Sequence, residues 1–406
     1  MHYAELEELQ KAWKGKVCLF GAGAYGRTWT YTLLKAAGFR IDFYCDNKIA
    51  PGTVIREGIK VCSLNHLYDK SNEVLVFIAV SEKYQKDIQH QLLDHGITNF
   101  IGMDALFLQS IAESILESNN IHVIDRYKKI IDDEEFCKDQ FEHRIGVPLN
   151  LDNPKLFNEK IQWLKIHDRN PDYIKMVDKY EVKKYVANLI GEEHILPTLG
   201  VYETFDDIKF EELPQQFVMK CTHDSGSVVV CDDKDSFDME GAKNILENSL
   251  KANYYWRNRE WVYKNIKPRI IVEKRMVDET NKELKDYKYY CFNGIPKIMH
   301  IVSGRMDKNT ECTSDFFDME FRHLTIQHGY PNAKRHISKP RGFAEMEMIA
   351  RKLSPNIPHV RVDFYNINGK IYFGEFTFYS FGGYKPFEPD EWERKLGDWI
   401  ILPELD

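Results

Sequence analysis

The chain is poor in the features that mark several large protein classes. Its eight cysteines, at 18, 45, 62, 137, 221, 231, 291 and 312, stand singly with no Cys-x-x-Cys pair. That scatter argues against a zinc knuckle and against a disulfide framework, and reads as reduced, mostly buried thiols of a cytoplasmic protein. Long hydrophobic runs are missing, and no stretch approaches the length that spans a bilayer. The opening run MHYAELEELQKAWKGK is polar and helix-like, without the apolar segment of a secretory signal. A product destined for the cell surface is therefore expected to be made before export. Positive charge is not in excess: 55 Lys and Arg against 63 Asp and Glu leave a formal net charge of -8. The general basic footprint of non-specific nucleic-acid binding is absent, so DNA or RNA is a poor expectation, although local basic clusters can still hold phosphates. Internal repeats and low-complexity tracts are absent as well.

What is present suits two or three domains: 406 residues, 43% hydrophobic, 13% aromatic. The first hundred residues alternate as βαβ units. An apolar run at 17–20 meets a glycine-rich turn and an amphipathic stretch to Lys35, followed by strand-like runs at 41–45, 74–79 and 99–101 and a helix over 82–95. This predicts a small parallel Rossmann-type sheet over 1–103. Residues 104–148 turn helical and charged, and read as a helical connector. From 149 to 406 the pattern predicts helices at 157–167, 179–189 and 343–352 among strands at 217–221, 228–231, 269–274, 287–292, 297–302, 360–365 and 370–377. The fold class expected is α/β followed by α+β.

The chemistry concentrates near the carboxyl end. Residues 359–365 and 370–377 flank an Asn-Gly-containing turn at 366–369, the signature of a hairpin. Period-two alternation puts Arg361, Asp363 and Tyr365 on one face and lets Asp363 approach Glu375 on the partner strand. Two carboxylates meeting on an apolar hairpin repel unless a cation sits between them, and Mg²⁺ suits a site where phosphates supply the remaining oxygens. Arg361 can steady charge on a transferring phosphoryl group. A plain Arg–Asp ion pair with Glu375 solvated carries about equal weight on spacing alone. Upstream, Lys220 is the one charge in an apolar strand leading into Thr222-His223-Asp224-Ser225-Gly226-Ser227. A strand, a small polar loop and an inward lysine make a phosphate cradle, or else a hairpin whose lysine snorkels to water.

Taken in order, these segments resemble an ATP-grasp enzyme: Lys220 with its Ser-Gly-Ser loop, 270–274, 286–294, Arg361-x-Asp363-Phe364, Glu375-x-Thr377 and Phe381-Gly382-Gly383. The run from about 149 to 392, with Asn153-Pro154-Lys155-Leu156-Phe157-Asn158-Glu159-Lys160 and Asp178-Lys179, is similar to the teichuronopeptide-biosynthesis (TupA-like) branch. The resemblance implies ATP and Mg²⁺ as cofactors. It implies Lys220, and less firmly Lys179, at the phosphates, and Ser225, Gly226 and Ser227 in a closing loop. Glu273 and Lys274 fall at the adenine hinge, Asp363 and Glu375 become metal ligands, and Arg361 faces the acyl-phosphate. Many ATP-grasp enzymes carry Asn where Thr377 stands, which makes Thr377 the weakest metal ligand. Lys288 and Arg305 are expected to bind a substrate carboxylate, with surface charge the equal alternative. The aromatic and arginine-rich run 253–263 is expected to pack between lobes rather than stack sugars or bases.

Near the amino terminus, Gly21-Ala22-Gly23-Ala24-Tyr25-Gly26 follows a strand, with Asp46 closing the next one. Such glycines admit a phosphate and Asp46 accepts ribose hydroxyls. The domain is similar to small nucleotide-sugar-binding domains of bacterial sugar acyltransferases, which implies a UDP-sugar first, NAD second, or a scaffold that binds nothing. The expected activity is ATP-dependent ligation of an acid to an amine on a sugar or uronic acid of bacterial surface polysaccharide. A phosphotransferase and a nucleotide-binding scaffold are the alternatives, and a homo-oligomer is left open.

Overall fold

The computed structural model describes residues 1–71, 73–277, 285–304 and 312–404, and divides into two compact units, Met1–Leu149 and Asn150–Asp406. Arg305 lies outside the described residues. All eight cysteines are free thiols, six of them buried. Among the described residues no helix is long and apolar enough to cross a membrane.

In the first unit, α1 (Tyr3–Ala12) precedes β1 (Lys16–Phe20) and α2 (Trp29–Ala36). Then come β2 (Phe43–Cys45), β3 (Val54–Arg56), β4 (Ile59–Cys62), α3 (Leu64–Tyr68), β5 (Val74–Ile78), α4 (Glu82–Asp94) and β6 (Phe100–Gly102). The sheet runs β3-β4-β2-β1-β5-β6, parallel throughout except for the β3–β4 pair. Stripped of β3, the parallel strands follow the 3-2-1-4-5 order of a Rossmann sheet. Val74-Leu75-Val76-Phe77-Ile78 is apolar throughout because both faces are covered: Leu75 and Phe77 face one core, Val74, Val76 and Ile78 the other. The charged stretch expected as a connector forms α5 (Ala105–Glu117), α6 (Ile121–Arg126), α7 (Lys128–Ile131) and α8 (Asp133–Ile145). Leu108, Ile111, Ile115, Val123, Ile130 and Phe136 recur at helical spacing within it and complete the first of those cores, so the segment belongs to the first unit.

The second unit opens with α9 (Phe157–His167), α10 (Asp172–Val177) and α11 (Glu181–Ile190). An antiparallel sheet β7-β10-β8-β9 follows, built from β7 (Thr198–Tyr202), β8 (Phe217–Cys221), β9 (Val229–Cys231) and β10 (Ile270–Lys274). Between β9 and β10 come α12 (Met239–Lys251) and α13 (Tyr255–Asn258). Phe217, Met219 and Cys221 alternate into a core with Leu246 of α12, which leaves Val218 and Lys220 on the opposite face. A second antiparallel sheet contains β11 (Asp286–Phe292), β12 (Ile295–Ser303), β13 (Thr313–Asp318) and β14 (His323–Leu324). After α14 (Phe343–Leu353) it is completed by β15 (His359–Ile367) and β16 (Lys370–Thr377), and α15 (Glu391–Trp399) ends the described elements. Its order is β14-β13-β12-β11-β15-β16. The β15–β16 turn puts Asn368 and Gly369 at φ 54° and 83°, the left-handed pair a two-residue hairpin requires.

Candidate active site

Register across the second sheet assembles one row of polar side chains: His300 on β12 opposes Lys288 on β11, Lys288 opposes Asp363 on β15, and Asp363 opposes Glu375 on β16. One pleat along β15, Arg361 opposes Tyr290 and Thr377. Arg361 forks onto Asp363, Nε to Oδ1 at 2.7 Å and Nη2 to Oδ2 at 2.8 Å. It also donates to the Thr377 hydroxyl at 2.9 Å and to Ser380 at 3.3 Å, and stands 3.6 Å from Glu375. Lys288 is buried in an ion pair with the same Asp363 and lies 3.4 Å from Asp286. Burial opposes the charge on Asp363, but Arg361 and Lys288 overcome it and hold the carboxyl below its usual range. Burial likewise opposes the Arg361 charge, and Asp363 outweighs it, raising the guanidinium.

The hairpin thus carries an ion pair and a carboxylate row at once. Asp286, Asp363 and Glu375 against Lys288 and Arg361 leave one net negative charge. Glu375, half-exposed, is the more open of the two expected metal-ligating carboxylates. Among the described residues no group of three or more His, Cys, Asp or Glu is placed to hold a metal unaided. The residues fit a hard divalent cation only where further oxygens come from a phosphate. Thr377 serves Arg361, and Lys288 is engaged with carboxylates instead of standing as a lone cation.

A narrow cleft lies beside this row, lined by Lys179, Val182, Lys183, Ile195, Leu196, Lys220, Glu273, Phe373 and Gly374. Phe373 and Gly374 belong to the strand that carries Glu375, so the cleft and the row share a wall. Buried Glu273 receives Lys220 at 2.6 Å and Lys183 at 2.5 Å. Burial disfavours its charge, yet Lys220 and Lys183 hold it below the usual range, while burial pushes Lys183 down. Lys274, next along β10, points to solvent. Lys183 was not singled out by the sequence: nothing local separates it from the exposed Lys184, and only the packing of α11 turns it inward.

The Ser225-Gly226-Ser227 loop is pinned at one end. The Ser227 hydroxyl accepts from the Cys221 amide at 2.9 Å and donates to Asp224 at 2.8 Å. Asp224 also receives the Ser249 hydroxyl at 2.5 Å, and Lys179 donates to the Cys221 carbonyl at 2.9 Å while pairing with Asp224. Lys179 therefore braces the loop. Gly226, at φ 120° with open space where a Cβ would stand, leaves the tip clear with Ser225.

In the first unit, Gly21 donates to the Cys45 carbonyl at 2.7 Å, and a Cβ on Gly26 would stand 1.7 Å from the Gly21 carbonyl, so only glycine fits there. Asp46 accepts from the amides of Ala22 at 2.8 Å, Lys48 at 2.8 Å and Ile49 at 3.1 Å. Both its oxygens are used by backbone, where ribose hydroxyls were expected. Gly23 is open, and α2 starts only at Trp29. In the 253–263 run, Tyr255 and Trp256 are buried under the Arg259 guanidinium, 5.3 and 4.5 Å from their rings.

The comparisons settle the class. Residues 159–401 match the family model of the TupA-like ATP-grasp proteins, and the second unit is thereby an ATP-grasp enzyme. The match takes in more than half of the sequence: this chain belongs to the TupA-like ATP-grasp family. No curated protein matches it. Among solved structures it is similar to the D-alanine–D-alanine ligase of Bacillus anthracis (13% identity, 96% of each chain, TM-score 0.30). It is similar also to the N5-carboxyaminoimidazole synthase of Aspergillus clavatus with ADP (11%, 97% of this chain and 78% of that one, TM-score 0.30). The ATP-grasp ligase PsnB with Mg and ADP aligns at 10% identity over 89% of each chain, TM-score 0.30. Overlays this loose add nothing to the family match.

Proposed function

We propose that this enzyme joins a carboxylic acid to an amine at the expense of ATP, through an acyl-phosphate. The observation that carries the reading is Arg361, locked by Asp363, Thr377 and Ser380 beside Glu375, on a hairpin whose second strand also walls the lysine-lined cleft. Lys220 and Lys183 face the triphosphate and exchange Glu273 for phosphate oxygens as it enters. The acid's carboxylate oxygen attacks the γ-phosphorus and ADP leaves. Arg361 then lies where charge develops on the transferring group. Glu375 and Asp363 are the residues that would hold magnesium, which would supply charge neutralisation at the phosphates when bound. The open tip Ser225–Gly226 closes over the site and keeps water from the acyl-phosphate, which an amine captures with release of phosphate.

The polymer context is part of the same proposal: the acid or amine is carried by a sugar or uronic acid of a bacterial surface polysaccharide, assembled in the cytoplasm. The first unit presents it as a UDP-sugar, with NAD the second choice, its phosphates at the open Gly23 face. ADP release by the full chain across an acid and amine panel tests the reading. Release that needs both supports ligation. Release with one acceptor alone contradicts it in favour of a phosphotransferase, and no turnover with any pair favours a scaffold.

A further inference from the structure

Arg361 and Ser380 define one side of the reaction centre, and the turn 380–383 carries that side toward a second buried acid. Ser380 lies 3.3 Å from Arg361, and two residues on, a Cβ at Gly382 would stand 2.9 Å from the Asn258 side-chain nitrogen. The same Asn258 nitrogen donates to Glu260 over a long 3.4 Å. Glu260 is 6% exposed, and among the described residues no lysine or arginine lies within ion-pair distance of it. The adjacent Arg259 is turned away, donating to the Trp256 carbonyl at 2.8 Å. Lys165, one of the two cations whose charge reaches Glu260, gives its ammonium to the Gly382 carbonyl at 2.9 Å and the Tyr384 hydroxyl at 3.4 Å.

The groups whose charges reach Glu260 or feel it are Lys165, Arg257, Tyr254, Tyr263 and Tyr379. The Tyr254 and Tyr263 rings meet edge to face at 4.9 Å. Tyr254 sits beside Ser225 of the closing loop, while Tyr263 feels Glu260, Glu375 and Asp224 together. Glu260 therefore shares its surroundings with a phenol pair of which one member reaches Ser225 of the loop and the other feels the charge of Glu375. A buried carboxylate without a cation is costly to a fold, and is placed where a cationic substrate can complete it.

Resting on the ligase reading above, we propose that Glu260 binds the ammonium of the acceptor and takes its proton, so the second substrate is a primary amine delivered between Tyr254, Tyr263 and the 380–383 turn. The free amine attacks the acyl carbon, the carbon–nitrogen bond forms, and the bond to the phosphate oxygen breaks. Its electron pair leaves with phosphate, which also carries the second nitrogen proton, while the first stays on Glu260. Burial pushes the Glu260 carboxyl up to about 7, against Lys165, Asn258 and Arg257, which suits an acceptor working near neutral pH.

The test uses the full chain, Mg·ATP, an acid panel of D-alanine, L-glutamate, D-glucuronate and D-galacturonate, and two kinds of nucleophile. Hydroxylamine is a free base at neutral pH and needs no proton acceptor; L-alanine, glycine and L-lysine are ammonium ions. Glu260→Gln is expected to form hydroxamate at the native rate while amide formation falls about 100-fold and recovers as pH rises. Native amide formation in Glu260→Gln overturns the proposal, as does equal loss of amide and hydroxamate in both Glu260→Gln and Glu260→Asp. Should the native enzyme give no hydroxamate with any acid, the ligase reading itself falls and takes this inference with it.

Discussion

Asp363 is the residue on which the site turns, because it answers two buried cations at once. Asparagine there keeps the shape but removes the buried charge that Arg361 and Lys288 share, leaving the longer pairs with Glu375 at 3.6 Å and Asp286 at 3.4 Å. Asp363→Asn is expected to end ADP release and to lower stability by about 3 kcal/mol or more. Calorimetry and a coupled ADP assay check both, and unchanged turnover removes Asp363 from the chemistry. On the cleft side, Lys183→Met leaves Glu273 with Lys220 alone. The expected outcome is ATP binding about tenfold or more weaker by titration calorimetry, a loss on the scale of one charge-assisted hydrogen bond. Native affinity in that variant would show that Lys183 meets no phosphate.

At the scale of elements, Gly26 is the sharpest prediction. A Cβ there would collide with the Gly21 carbonyl at 1.7 Å, so Gly26→Ala is expected to cost about 1–3 kcal/mol by denaturant unfolding of the full chain, whereas Gly23→Ala, in open space, costs little. The glycines, the parallel apolar runs and the closing hairpin were legible because each announces itself locally, through a turn residue or a period. The Asp363–Glu375 juxtaposition followed from folding that hairpin back on itself. What stayed hidden was set by distant partners. Strand Thr198–Tyr202 carries Gly200 and a half-exposed pattern, so no alternation marks it, and pairing with β10 alone makes it a strand. Helices at 105–145 looked like a connector because charge on their outer faces masks the apolar stripe. Lys183 and Glu260 carry no local mark that separates them from surface charge, and the backbone partners of Asp46 at Lys48 and Ile49 leave no pattern in the sequence either.

For the whole molecule, buried histidines and buried acids pull the pH dependence of stability in opposite directions: burial lowers His328 and His359 from 6.5 to about 3, so their contribution is full above 6.5 and fades as pH falls through 3. Burial pushes Glu260 and Glu393 from 4.5 up to about 7, despite the amides of Phe387 and Asn158 that support the second. A carboxyl raised by folding holds a proton the unfolded chain has released, so its stabilisation is full below 4.5 and is lost as pH rises through 7. Asp363 and Glu273 are depressed and act oppositely, their contribution fading as pH falls through the carboxylate range. The Glu260 share is isolated by comparing variants: the thermal resistance of Glu260→Gln relative to the native chain should rise as pH rises from 4.5 to 7, and the variant should match or exceed the native chain above pH 7. A native slope in that variant would mean Glu260 titrates as an ordinary glutamate. The central claim, an acyl-phosphate passed to an amine, has one direct measurement: turnover of the accepted acid labelled with ¹⁸O in its carboxyl group, followed by mass spectrometry of the phosphate released. The account predicts one labelled oxygen in each phosphate formed with amide, and unlabelled phosphate would contradict it.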